Sequence, residues 1–252
     1  MKILPPRAHP PSSKIDRVHT PVPAAGRFGY REYRACLRWE FGFTCAFCLL
    51  HESDLAEHGA EGLGVTGVEH FVPVDAGGEV NSYENCFYAC RFCNGSRATS
   101  PIVDRQGRRL LHPCGQVWAD HFKATSDGRL LPVEGDSDAE YTHEIYELDD
   151  SRKVEIRQAR AERLEESLLT LKEGPLLLES MMERLREEPP EQSSDLLHLA
   201  ERLRRSIAYA VKTVGRYAAI PRDADPACRC GRNDHHRLPA GLADQLLDIP
   251  LP

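Results

Sequence analysis

The sequence predicts an α+β fold, in which a small metal-stapled core of short strands and a helix precedes a region built of helices. Three observations carry that expectation. Cys45-Ala-Phe-Cys48 and Cys90-Arg-Phe-Cys93 are C-x-x-C pairs, and two such pairs supply the four thiolates of a closed structural zinc site. Between them, Val65 to Val74 is rich in β-branched residues, the composition of a strand. From Ser151 onward, apolar residues recur at helical spacing.

The elements follow in chain order. Residues 1–25 are rich in Pro, Ser and basic side chains without periodicity, and are expected to be a flexible N-terminal segment. Residues 26–150 form the domain that carries the cysteine pairs. Within it, Tyr30, Tyr33, Leu37 and Phe41 recur at helical spacing and predict a short helix leading into the first cysteine knuckle. Residues 51–64 are polar and contain Gly, which predicts a loop or a short helical insertion. The strand over 65–74 places Glu69 and His70 on adjacent, opposite-facing positions. Ala76-Gly77-Gly78 is a turn. Residues 84–97 read as a second short strand or loop running through Cys90-x-x-Cys93 into a helix start. Residues 102–148 predict short strands with turns at Asp104–Gly107 and Asp127-Gly128.

Residues 151–220 read as helical. Gly174-Pro175 is expected to end a helix over 151–173, and Pro189-Pro190 a second over 176–188. Ser193-Ser194-Asp195 caps a third over 195–219. These helices are expected to form a hairpin or three-helix unit packed on itself, on a partner or in a homo-oligomer, with Leu196, Leu199, Leu203, Ile207, Val211 and Val214 as its apolar stripe. Residues 221–252 are expected to be a flexible C-terminal tail.

Composition narrows the class. No apolar run approaches the roughly 18 residues of a membrane-spanning helix, and the first residues lack the apolar region of a signal peptide. Nine cysteines, an odd count with four in C-x-x-C pairs, point to metal binding in the cytoplasm and not to a secreted disulfide scaffold. A net charge of −7 argues against coating nucleic acid by charge alone. Basic stretches nevertheless flank the cysteine pairs. Residues 1–50 hold eight Lys/Arg against three Asp/Glu, and residues 91–110 hold five Arg against one Asp, whereas 134–150 carry eight acids and no Lys or Arg.

The order of parts, C-x-x-C, a strand with Glu-His-Phe-x-Pro, a Gly-Gly turn, Asn85, then C-x-x-C-Asn, resembles the HNH endonucleases, the ββα-metal nucleases, in their zinc-stapled, treble-clef-like form. The likeness covers Cys45 to about Arg97. It implies a structural Zn²⁺ on Cys45, Cys48, Cys90 and Cys93, and a catalytic Mg²⁺ or Mn²⁺ on Glu69 and Asn94. It implies His70 as the general base that takes a proton from water, and Asn85 as the residue that ties its loop to the backbone around His70. Arg97 would pair with a substrate phosphate. Glu69 stands where many members have Asp, and Asn94 where the third letter is often His; both still offer oxygen to a hard cation. A narrower likeness, through Val68-Glu69-His70-Phe71-x-Pro73, Tyr83-Glu84-Asn85 and Cys90-x-x-Cys93-Asn94, is to the HNH proteins of retrons and of the Septu anti-phage system, which work beside an ATPase. Val74 departs from that subgroup, where a basic residue is frequent.

The resemblance therefore implies a metal-dependent endonuclease acting on nucleic acid, with DNA as the expected substrate, an ATPase or other defence protein as partner, and no membrane association. The competing reading is a catalytically idle zinc-binding adaptor that recruits a partner through its C-terminal helices. Cys228, Cys230, His235 and His236 offer ligands for a second zinc, though their spacing fits no zinc motif. Cys36, Cys86 and Cys114 read as small buried residues, and His51 and His58 as surface histidines. His112 and His121 have no place that the sequence alone assigns.

Overall fold

A computed structural model of the chain describes residues 10–26, 28–57, 66–97, 100–187, 189, 193–217 and 230. The chain divides into two compact units, Met1–Arg160 with Pro226–Asp234, and Ala161–Asp225 with His235–Pro252. Among the described residues no helix is long and apolar enough to cross a membrane.

The first unit is a mixed α and β structure. A 3₁₀ turn, Gly29–Tyr33, runs into α1 (Arg34–Glu40) and buries Tyr33, Leu37 and Phe41, the spacing expected of that helix. Gly42 and Phe43 then take positive φ and turn the chain into the first cysteine knuckle. The knuckle is closed by Cys45 N–H donating to Leu50 O at 2.9 Å and by a bridge between Thr44 and His51. α2 (Glu52–Glu57) follows, in the stretch read as a loop or short helical insertion; His51 is buried, and His58 lies outside the described residues.

β1 (Thr66–His70) pairs antiparallel with β2 (Cys86–Cys90), with Glu69 opposite Phe87 and His70 opposite Cys86. All five residues of β2 are buried, which is why its sequence is apolar throughout instead of alternating. α3 (Arg91–Arg97) starts at the residue after β2 and packs on both strands. The result is a strand-strand-helix unit around Phe47, Phe71, Phe87 and the four cysteines.

Beyond Pro101 come α4 (Trp118–His121) and a second two-stranded sheet, β3 (Phe122–Ala124) with β4 (Leu130–Pro132), its turn at the predicted Asp127-Gly128. The acidic run then forms α5 (Ser137–Ile145), where only short strands were expected. Its acids explain the helix: Asp136 Oδ1 caps Ala139 N–H at 2.9 Å, and Asp138 and Glu140 lie in the first turn, where the helix dipole favours negative charge.

α6 (Ser151–Glu187) is continuous through Gly174-Pro175, so the expected break does not occur, and the described helical region is a hairpin of two long helices with α7 (Ser194–Tyr217). Pro175 is exposed, so its ring sits on the solvent side of the helix. On the opposite side the helix is held by α7. A Cβ on Gly174 would lie 2.9 Å from Ile207 Cγ1, Met181 and Leu185 pack with Ala200, and Arg163 Nη1 donates to Tyr217 Oη at 3.0 Å. That packing outweighs the hydrogen bond a proline removes.

The first unit takes in the opening turns of α6, and the N-terminal segment is irregular but not loose over its described part. His19 is 3% exposed, and Arg17 pairs with Glu40 of α1 at 2.6 Å. Of the C-terminal tail, only Cys230 lies among the described residues.

Candidate functional site

The four cysteines of the two C-x-x-C pairs come together although 42 positions separate Cys48 from Cys90. Their sulfurs all lie within 4.8 Å of one another, and Cys48 Sγ is 3.5 Å from Cys90 Sγ. A tetrahedral zinc with Zn–S bonds of about 2.3 Å needs sulfurs about 3.8 Å apart, so the group could hold a zinc ion with no position left open. All four side chains are buried, as a closed structural site requires. Burial opposes a charge on Cys48, but hydrogen bonds from the other three thiols outweigh it and hold this thiol well below its ordinary range. Cys90 and Cys93 are held well above theirs.

The sequence reading missed the residues that balance this cluster. A zinc tetrathiolate carries a net charge of −2, which is costly to bury alone. Lys153 and Arg157, on consecutive turns of α6, are buried beside it. Lys153 Nζ donates to Tyr146 O and Glu147 O, and Arg157 donates to Gly128 O at 2.7 Å and to the knuckle carbonyl Cys48 O at 3.2 Å. Arg160, one turn further on, reaches Leu49 O at 3.0 Å. The signal was present in the sequence as cations at 153, 157 and 160, the spacing of one helix face.

Glu69 and His70 occupy the end of β1 and leave it on opposite faces. His70 packs its ring edge-on to Tyr30, with centroids 4.6 Å apart, and its Nε2 lies 2.8 Å from Val80 O. A carbonyl only accepts, so the hydrogen of this contact is on Nε2, and Nδ1 is the nitrogen that carries the lone pair in the neutral tautomer. Asn85 holds the backbone next to His70. Its Oδ1 accepts from Val72 N–H at 2.7 Å, its Nδ2 donates to Val72 O at 2.9 Å, and its own carbonyl accepts from Phe71 N–H at 2.9 Å. Gly78 makes room for this clamp, because a Cβ there would stand 2.0 Å from Val72 O.

Glu69 is half-buried, and burial, only partly offset by the charge of Arg97, pushes its carboxyl up to about 7. Asn94, on α3, lies against Gly67, with Nδ2 3.4 Å from where a Cβ on that glycine would be. Gly67 and Glu69 share a face of β1, so the acid and the amide are on one side of the sheet. Among the described residues, Glu69 and His70 belong to no cluster of three or more His, Cys, Asp or Glu ligands.

Arg97 differs from its expected role. It is wholly buried, and its guanidinium donates to Phe71 O at 2.6 Å and to Ser100 O. It ties α3 to the end of β1 and, as placed, does not reach a phosphate. His112 packs edge-on against Phe71 and Phe87, at 4.8 and 5.1 Å, and His121 Nδ1 meets Asp136 Oδ2 at 2.6 Å. Cys86 is buried and Cys114 half-buried, in keeping with small packing residues. Cys228, His235 and His236 lie outside the described residues, so the second ligand set read from the tail is represented by Cys230 alone.

No protein-family model, no curated protein and no solved structure matches the chain.

Proposed function

We propose that the chain is a metal-dependent endonuclease of the HNH kind, hydrolysing phosphodiester bonds in nucleic acid, with DNA as its substrate. The observation that carries this reading is the setting of His70. The Nε2–H bond to Val80 O aims the ring, the Asn85 clamp on Val72 holds the adjoining backbone, and Nδ1 is left basic. That is the arrangement a general base needs. His70 Nδ1 takes a proton from water as the water oxygen bonds to phosphorus; the bond to the 3′ oxygen breaks, and that oxygen takes a proton from solvent water, leaving 5′-phosphate and 3′-hydroxyl ends. Glu69, next to His70 at the end of β1, and Asn94 offer an oxygen pair of the kind that suits a hard cation. A Mg²⁺ or Mn²⁺ ion there would supply electrostatic stabilisation to the charged phosphate. The zinc assigned to the four cysteines is scaffold.

The net charge of −7 is too acidic for tight nucleic-acid binding unaided, so target choice is assigned to a partner, an ATPase or other protein of an anti-phage system. A plasmid-nicking assay tests the core claim. Wild-type protein with Mg²⁺ should nick, and His70→Ala should lose about 10²–10⁴-fold in rate, the usual worth of a general base. Equal inertness of the two proteins across Mg²⁺ and Mn²⁺, with the candidate partner present, would remove the nuclease reading.

One observation favours the adaptor reading. Leu169, Leu176, Leu177 and Leu199 of the hairpin are exposed, an apolar surface that a partner or a second copy would cover. Inertness in the nicking assay together with a complex lost on Leu176→Glu/Leu177→Glu would favour it over the nuclease.

A further inference from the structure

His19, Cys36 and Cys230 come from three distant parts of the sequence, yet their ligand atoms lie within 4.8 Å of one another, and His19 Nδ1 is 3.1 Å from Cys230 Sγ. His19 and Cys36 are buried, at 3% and 0% exposure. We propose that these three residues form a second metal site, which takes Zn²⁺ through one imidazole nitrogen and two thiolate sulfurs.

The ligand types and spacing suit the ion. With Zn–N near 2.1 Å and Zn–S near 2.3 Å, tetrahedral ligand atoms stand about 3.5–3.8 Å apart, and a small adjustment of Cys230, the half-buried member, meets that geometry. Charge suits it too. Two thiolates and a neutral imidazole cancel a dication, so this site needs no buried cation like the Lys153 and Arg157 beside the four-cysteine group. Among the described residues three ligands gather here, and a tetrahedral zinc takes a fourth beside them.

The surroundings are built to hold the ligands. Cys36 sits on α1, and Glu40, one turn further along the same helix face, accepts the backbone N–H of His19 at 3.1 Å. The other oxygen of Glu40 forms an ion pair with Arg17, Nε at 2.6 Å, and accepts from Tyr83 Oη at 2.9 Å. A carboxylate that positions a ligating histidine's own segment, and is itself held by an arginine charge and a tyrosine hydroxyl, is the kind of outer shell that metal sites depend on. The bound ion would tie the N-terminal segment, α1 and the chain near residue 230 into one cross-link.

Zinc content and X-ray absorption on the full chain test the site. After reconstitution with Zn²⁺ and removal of excess, the wild type should hold about two zinc per chain, with a nitrogen scatterer near 2.0 Å in the first shell beside sulfur near 2.3 Å. His19→Gln/Cys230→Ser should hold about one, in a shell of sulfur only. One zinc per wild-type chain, an all-sulfur shell in the wild type, or a Cys36–Cys230 disulfide in the purified protein would overturn the proposal, as would two zinc ions kept by the double variant. None of these readouts depends on nuclease activity.

Discussion

Asn85 shows how much one side chain can decide here. It satisfies both backbone groups of Val72, two residues from His70, so truncating it leaves an N–H and a carbonyl unpartnered at the edge of the core. Asn85→Ala should destabilise the protein by about 1–3 kcal/mol, measured by denaturant unfolding, and should lower the nicking rate by more than the folded fraction falls. His112 makes a separate prediction about pH. Burial and the charge of Arg17 hold its imidazole below the ordinary value, and its Nδ1 accepts Cys114 N–H at 3.2 Å, which requires the neutral ring. The unfolded chain therefore binds a proton that the folded chain refuses once the pH drops below about 6.5. Stability is full above that value and falls as the pH is lowered through it. Thermal melts should show the decline, and His112→Gln should flatten it. The four-cysteine group and the tie of Asn85 to the backbone beside His70, which depend on residue type and short spacing, were legible in the sequence. Arg97 was not, because the carbonyls that bury it, Phe71 O and Ser100 O, come from a strand end and a loop that no spacing rule connects to it.

At the scale of elements, α6 carries the clearest lesson. A proline inside a helix costs about 3 kcal/mol in isolation, which is why Gly174-Pro175 reads as a stop. The helix continues because its other face is occupied: Gly174 lets Ile207 of α7 approach where any side chain would intervene, and the proline faces water. Pro175→Ala should then be stabilising, by up to about 3 kcal/mol, seen as a higher Tm for the hairpin, with no change in zinc content. β1, β2 and α3 were legible because composition and the cysteine spacing agreed on them. α5 was not, since an acidic run lacks the apolar period that marks a helix, and its support comes from the Asp136 cap and the dipole. The opening of α6 was expected as a helix, but which of its faces turns inward was missed for a related reason. Helical faces are sought by their apolar residues, and this one turns Lys153, Arg157 and Arg160 inward.

For the whole molecule, those three cations join parts of the chain that the cysteine motifs alone do not connect. Lys153→Met keeps much of the apolar stem but removes one of the charges beside the four-cysteine group, and takes the ammonium donor from Tyr146 O and Glu147 O. Zinc affinity should fall roughly 10–100-fold, the usual effect of losing an outer-shell partner, as read by competition with a chromophoric chelator. The contact between Arg157 and Cys48 O spans 109 positions of sequence. A ribosome adding about 5–20 residues per second makes Cys48 roughly 5–20 s before it makes Arg157. The first cysteine knuckle is therefore made that long before its counter-charge, and a zinc ion captured early would be held more weakly than one in the finished protein. With a metal on the four cysteines, the start of α6 would be the last part of the chain to close over it.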